Sequence, residues 1–491
     1  MITTVLKLGK ETVAYGLAYA ATNLFSMILL PLYTRVLTPA DYGVVAIVSV
    51  LWTLVSIVIT LGLDSAAARV YYDDEDDWRR TTVMASWFWC QFLVSAVAAA
   101  LVVCLSTEIA SLISASADAQ DAVILAALAL PLTAFRQVGG IWLRCRRQAA
   151  RAAAFFTFSG LASVIASALL VLLLDQGVTG VFAGQLIGAI ATAIVALTFI
   201  GRRINPFSIS RPVLGRMAVF GLPLVPAAIA LWTASSSDRL VLNSLLDESD
   251  VGIYSVASSI SAIVVLFTSG FLFAWAPFAY SLVQQKSSLN ALSLALSWFT
   301  FGACALAALT SVFAPEILTI LVTPEFYPAA GSVPFLAFGW VAMAIMSALA
   351  IGANIAKRTL IVAACFVIGA IANVILTIVL VWAMGRDGAA LATLIAYILA
   401  SILMYFLSDR YFRIPYRISQ IGLFAVWSGV LTTIAALSSP TSSWPSLIFR
   451  SMLCLLLPLP LLFTDIIPRG RFRRVLSVRL FRQFRHERSG R

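Results

Sequence analysis

The chain reads as an all-α polytopic membrane protein with fourteen spans, arranged as two parallel six-helix lobes plus two C-terminal helices. Three observations predict this. Hydrophobic residues make up 61% of the 491 residues and charged residues only 11%, against about 25% charged in soluble domains. Apolar runs of roughly 20 residues, enough to cross a bilayer, recur along the whole chain. Finally, one short polar phrase, RVLTPADYG at 35–43, returns as SLLDESDVG at 244–252.

Apolar runs set between breakers place the spans near residues 12–33, 42–63, 81–105, 121–142, 152–174, 179–200, 216–236, 252–281, 289–313, 331–355, 359–383, 388–408, 419–438 and 446–466. The first run has no small-residue cleavage site after a short core, so it reads as a span rather than a leader. Span 8 is long and is expected to tilt, or to lie partly at the interface near Trp275 and Pro277. With a cytoplasmic N-terminus, 28 of the 33 lysines and arginines fall on the cytoplasmic side. Arg35, Arg239, Arg386 and Arg450 fall outside, and Arg136 lies within span 4. That is the positive-inside asymmetry, and it predicts that both termini are cytoplasmic.

The net charge of +11 follows from this orientation signal and the C-terminal tail, so no nucleic-acid partner is implied. The tail, RGRFRRVLSVRLFRQFRHER, interleaves phenylalanine and leucine with arginine. It predicts a basic amphipathic helix lying on an anionic leaflet. The six cysteines are scattered without metal-ligand spacing, and the single histidine, His486, sits in that tail. No metal, cofactor or catalytic residue is therefore expected, and the chain does not read as an enzyme. The acidic run DDEDDW at 73–78 reads as a solvated face pairing with neighbouring arginines.

Aligning Asp41 with Asp250 superimposes Leu37–Gly43 on Leu246–Gly252. The two copies open spans 2 and 8. An even offset of six spans makes the halves parallel, related by an axis along the membrane normal. The predicted organisation is an N-terminal lobe over 1–210, a second lobe over 211–410, spans 13–14 over 411–468 and a basic tail over 469–491. The phrase itself has the chemistry of a helix cap: Thr38 or Asp247 at the N-cap, Pro39 at the first turn, and Asp41 or Asp250 three residues on. Gly43 and Gly252 then allow close helix packing.

YTRVLTPADYGVVAIVSVLWTLVSIVITLGLDSAAARVYY, with its R-x-L-T-P-x-D-Y-G and G-L-D-S-A-x-x-R, resembles the N-terminal signature of Wzx-type polysaccharide-biosynthesis flippases. These belong to the multidrug/oligosaccharidyl-lipid/polysaccharide (MOP) exporter superfamily. SSSDRLVLNSLLDESDVGIYSVA is similar to that family's span 7–8 junction. The resemblance implies a V-shaped, two-lobed bundle. It also implies movement of an undecaprenyl-diphosphate-linked oligosaccharide, an O-antigen, capsule or exopolysaccharide unit, to the outer leaflet. A polysaccharide polymerase or export machinery would be a downstream partner.

Polar groups inside spans are costly, which makes them functional candidates. Arg136, beside Gln137, either offers a guanidinium to a diphosphate or acidic sugar in a water-filled cavity, or belongs to the cytoplasmic cluster if span 4 ends early. Asn23, Gln91, Gln185, Asn354 and Asn373 are cavity candidates that serve equally as interhelical hydrogen-bonding groups. Asp238 and Arg239 are expected near the outer end of span 7, either pairing with Arg35 or Asp41 as an outer gate or simply anchoring the helix end at the interface. Asp250 belongs to the same set, and Arg69 is either an inner-gate contact or an orientation charge. Two other transport readings stand beside the first, a cation-coupled drug exporter and a lipid II flippase of the same superfamily. Against ion coupling, no carboxylate is expected well inside a span. A polysaccharide polymerase is disfavoured by the short outer loops, the longest near 106–120 and 237–251.

Overall fold

The computed structural model describes residues 29–73, 76–114, 116–205, 208–283, 289–438, 444–462 and 464. Among them every regular element is helical, and thirteen helices are long and apolar enough to cross a membrane. In chain order these are α1 (Pro39–Tyr71), α2 (Asp77–Cys104), α3 (Asp118–Cys145), α4 (Ala150–Leu173), α5 (Gly177–Ile200), α6 (Arg211–Leu245) and α7 (Glu248–Leu282). They continue as α8 (Leu289–Val312), α9 (Val333–Ile355), α10 (Thr359–Met384), α11 (Arg386–Tyr411), α12 (Ile418–Ser438) and α13 (Pro445–Leu462). They correspond to predicted spans 2–14. Most of span 1, with Asn23, and the basic tail lie outside the described residues.

The helices begin and break where the local chemistry dictates. Thr38 caps α1 through a complete capping box: Asp41 N–H donates to Thr38 Oγ1 (3.2 Å), and Thr38 N–H to Asp41 Oδ2 (3.0 Å). In the second copy Asp250 N–H donates to Asp247 Oδ1 (2.8 Å), while the Asp250 carboxylate turns away to pair with Arg386. α1 breaks at Leu61 and Gly62, both with positive φ. α3 breaks over Leu130–Leu132 around Pro131, one turn before Arg136. α6 breaks through a 3-10 turn at Leu222–Leu224, where Pro223 and Pro226 withdraw backbone donors.

The packing repeats with the six-span offset. α4 lies along α5, as α10 lies along α11; α3 packs on α5, as α9 packs on α11. A short helix, Ser106–Ile113, follows α2, and its counterpart, Ala314–Leu321, follows α8. These supply a second duplicated element, with Glu108 and Glu316 at matching positions. The corners after α3 and α9 also match: Arg147 and Lys357 both adopt left-handed backbone, and the following amides close the same turn, Gln148 N–H to Leu143 O and Arg358 N–H to Ala353 O.

The distribution of the apolar core decides how the halves meet. At the end carrying LTPADYG and LDESDVG (the motif end), one continuous core joins Ile47, Phe182 and Val123 of the first half to Val251, Ile260 and Phe326 of the second. At the opposite, arginine-rich end (the basic end), the core divides in two: Trp87, Phe88 and Trp142 of the first half pack with Val213 and Met217 from the start of α6, and Trp275, Phe299 and Met346 lie in a separate core.

Trp275 is buried, its Nε1 donating to Ala348 O at 3.0 Å. One expectation changes here. The region 237–251 is no outer loop, because α6 runs on to Leu245 and only Leu246 and Asp247 separate it from α7.

Candidate functional site

Arg136 decides where the site lies. The break at Pro131 restarts α3 so that Arg136 projects from its second segment (Thr133–Cys145), and the residue is exposed although it lies well inside the helix. The surface it meets is a pair of clefts that share it. The first, about 410 Å³, is lined by Tyr33, Tyr42 and Trp52, by Ser159, Ser163 and Ser167 of α4, and by Gln185 and Thr192 of α5. The second, about 450 Å³, lies between α1, α3 and the start of α6, with Ser56, Thr60, Asp64, Gln137 and Arg144 on its walls and Leu224, Val225 and Ala228 from the second half. A guanidinium between two polar clefts inside an apolar bundle can grip an anionic group while sugars meet the aromatic and hydroxyl walls.

The motif end above these clefts is closed. A Cβ on Gly43 would overlap the carbonyl oxygen of Glu248, and one on Gly252 would overlap that of Pro39 and sit 3.0 Å from Gly43 N. Only glycine at both positions permits this backbone contact. Around it Ser114 Oγ donates to Glu248 Oε1 (2.9 Å), Asn243 Nδ2 to the Leu112 and Ile113 carbonyls (3.1 and 3.2 Å), and Thr323 Oγ1 to Thr34 O (2.9 Å). A contact also forms towards the basic end, where a Cβ on Gly221 would come within 2.8 Å of the Leu61 and Gly62 carbonyls. Beside it the Arg69 guanidinium lies 4.7 Å from the Phe220 ring.

The remaining predicted residues divide. Gln185 lines the first cleft and Gln137 the second. Gln91 is fully buried and serves packing, its Nε2 donating to Gln137 Oε1 at 2.7 Å. Asn373 is buried, bonded through Nδ2 to Thr393 Oγ1 at 3.0 Å. Asn354 sits at the basic end of α9 and lines neither cleft. Arg35 is exposed.

The expected pairing of Asp238 and Arg239 with Arg35 or Asp41 does not form. Because α6 extends beyond residue 236, Asp238 lies two turns inside it, buried at 5% exposure, where it accepts from Tyr254 Oη. Arg239 turns to Ser255 and Ser258 of α7, at 3.2 and 2.9 Å. A buried carboxylate therefore exists inside a span, contrary to expectation. The cross-contact at this end is instead Arg386 with Asp250, both in the second half.

Sequence reasoning missed the serine stripe of α4. Ser159, Ser163 and Ser167 recur every four residues in FSGLASVIAS, a helical face legible in the sequence.

A family profile described as polysaccharide biosynthesis protein matches residues 32–331. The chain belongs to that family. No curated protein matches the sequence. Among solved structures, the family member is similar to "Lipid II flippase MurJ, inward closed conformation", with a TM-score of 0.74 and 16% identity over 94% of this chain and 100% of that one. It is also similar to an inward-facing multidrug resistance MATE transporter of the MOP superfamily (TM-score 0.66, 16% identity, 82% and 96% covered). An outward-facing MATE structure gives a TM-score of 0.58 at 16% identity, with 84% and 96% covered. The fold is thus that of the MOP-superfamily transporters, and the family places the chain in polysaccharide biosynthesis.

Proposed function

We propose that this transporter flips an undecaprenyl-diphosphate-linked oligosaccharide across the bacterial inner membrane, with both termini cytoplasmic. Residues 1–210 and 211–410 would rock as two lobes, 411–468 would form an appended helix pair, and 469–491 a basic anchor. The observation that carries this reading is Arg136, a cation shared by two clefts lined with hydroxyl, amide and aromatic groups. A diphosphate with sugars cannot enter hydrocarbon unpaired. A cationic, hydroxyl-lined cleft offers it hydrogen bonds while its prenyl tail stays in lipid. Each substrate charge moved also couples to the membrane potential by about 2.3 kcal/mol per 100 mV.

Arg136→Ala should abolish surface-polysaccharide export at unchanged protein level, with lipid-linked units accumulating on the cytoplasmic leaflet. Full export in that variant would refute the assignment. Units that instead reached the outer leaflet unpolymerised would favour a polymerase.

One observation favours a second reading, coupling to a cation: Asp238 is a buried intramembrane carboxylate, the group such coupling uses. Asp238→Asn separates the two. Ion-driven transport would lose its response to an imposed cation gradient, whereas potential-driven flipping would keep its response to voltage.

A further inference from the structure

A third cavity, of about 570 Å³, lies at the basic end on the flank of the first half, away from Arg136. Its walls are two helix faces and a corner. α4 contributes Arg151, then Phe155 and Phe158; α5 and the turn after it contribute Val195, Phe199 and Arg203; the end of α3 contributes Trp142 and Arg146. The spacing on each helix keeps one face, and polarity changes along it. The three arginines sit at the basic end, and the apolar side chains extend about 10 Å, seven residues of helix, towards the bilayer interior. Phe158, at the far end, is 40% exposed.

The guanidiniums are held in place. Those of Arg146 and Arg203 both lie 4.4 Å from the Trp142 ring centroid. Stacking of this kind fixes the planar fork and leaves its edge donors free for phosphate. Among the described residues the carboxylate paired with them is Asp77, at 2.8 Å from Arg146 and 3.8 Å from Arg203, and it is itself 66% exposed. Arg151 donates to Gln148 Oε1 at 3.2 Å. Among the described residues, the pocket lining holds three guanidiniums and no carboxylate.

The duplicated architecture does not demand this. Matching the corners at Arg147 and Lys357 sets Trp142, Arg146 and Arg151 against Gly352, Ala356 and Ile361. The second half builds the same corner without these two charges or the tryptophan, and has a single guanidinium over a ring there, Arg358 at 5.4 Å from Tyr411.

We propose that this pocket binds an anionic phospholipid of the leaflet at the basic end. Its phosphate would sit on Arg146, Arg151 and Arg203, and an acyl chain would lie along Phe155, Phe158 and Val195. The charge order along the helix faces matches a lipid, head at the arginines and chain toward the bilayer, and basic pockets between spans are the recognised form of such sites. This site is separate from the Arg136 clefts and does not depend on the transported substrate.

The test uses the full chain in bilayers of phosphatidylcholine alone or equimolar phosphatidylcholine and phosphatidylglycerol. A phosphatidylglycerol carrying a photoreactive group in its acyl chain should label the peptide containing Phe158. Each of Arg146→Gln, Arg203→Gln and Arg151→Gln should lower that labelling about fivefold, the ~1 kcal/mol expected of one arginine near a membrane surface. Arg151→Gln is the variant least able to disturb folding, since Arg151 bonds Gln148 at the exposed start of its own helix. Arg413→Gln, which removes an 87%-exposed charge elsewhere at the same end, should leave labelling unchanged.

Equal loss in Arg413→Gln would show bulk surface charge and overturn the site. So would competition by inorganic phosphate at the potency of the lipid, which would show a free-anion site, or labelling that ignores all three arginine variants.

Discussion

Replacing Gly43 with alanine puts a methyl group where the Glu248 carbonyl oxygen already lies. Neither atom can retreat on its own: the first belongs to a capped helix turn, and the second to backbone at the start of α7. The overlap falls inside 3.0 Å, closer than real Cβ atoms approach, so the two helices must separate. Overpacking of this kind costs ~1–3 kcal/mol. That lowers the population closed at the motif end by about tenfold at 1.4 kcal/mol and by about a hundredfold near the upper limit.

The assay is disulfide formation between Ser114→Cys and Glu248→Cys, whose native side chains meet at 2.9 Å across this end. Cross-linking should slow by at least about fivefold in the Gly43→Ala background, the factor set by ~1 kcal/mol. Gly429→Ala, where a Cβ meets nothing within 4 Å, should leave it unchanged. If Gly43→Ala cross-links at the control rate while the folded protein persists, the two glycines do not hold the lobes together and the gate assignment fails. Gly252→Ala should act in the same direction without adding fully, because the two sites touch.

Other expectations follow from the same geometry. Arg136→Lys keeps a point charge and loses the bidentate fork, so transport should fall well below wild type yet exceed Arg136→Ala in a flipping assay; equal loss would mean geometry alone matters. Arg450 is 2% exposed and pairs with Glu316, tying α13 to the short helix after α8. Arg450→Leu strands a carboxylate and should destabilise by about 3 kcal/mol, read as a lower unfolding midpoint in detergent. Thr38→Ala removes the first-copy cap and should cost about 1 kcal/mol; an unchanged midpoint would mean the membrane-end water replaces it.

The sequence by itself determined the class, the span positions, the parallel duplication and the caps, because these rest on local chemistry: apolar length, breakers, charge asymmetry and the reach of Thr38 to Asp41. It also singled out Arg136, since an arginine within an apolar run is conspicuous without any fold. It misplaced Asp238 and Arg239, because α6 runs nine residues past the apolar run that marked its end. Those polar turns are kept helical by tertiary packing and by Tyr254 and the α7 serines.

The second duplicated element, Ser106–Ile113 with Ala314–Leu321, was obscured because its two eight-residue copies are identical only at Glu108–Ile109 and Glu316–Ile317. Only the tertiary structure decided which polar residues face a cleft and which bind one another. Gln137 and Gln185 reach cleft walls, whereas Gln91 and Asn373 spend their donors on neighbouring helices. Only the structure revealed that RVLTPADYG meets its own copy, glycine beside glycine. A capping phrase is read from one strand of text, but close approach of two backbones depends on where two helices cross, and that is set by the shared core at the motif end.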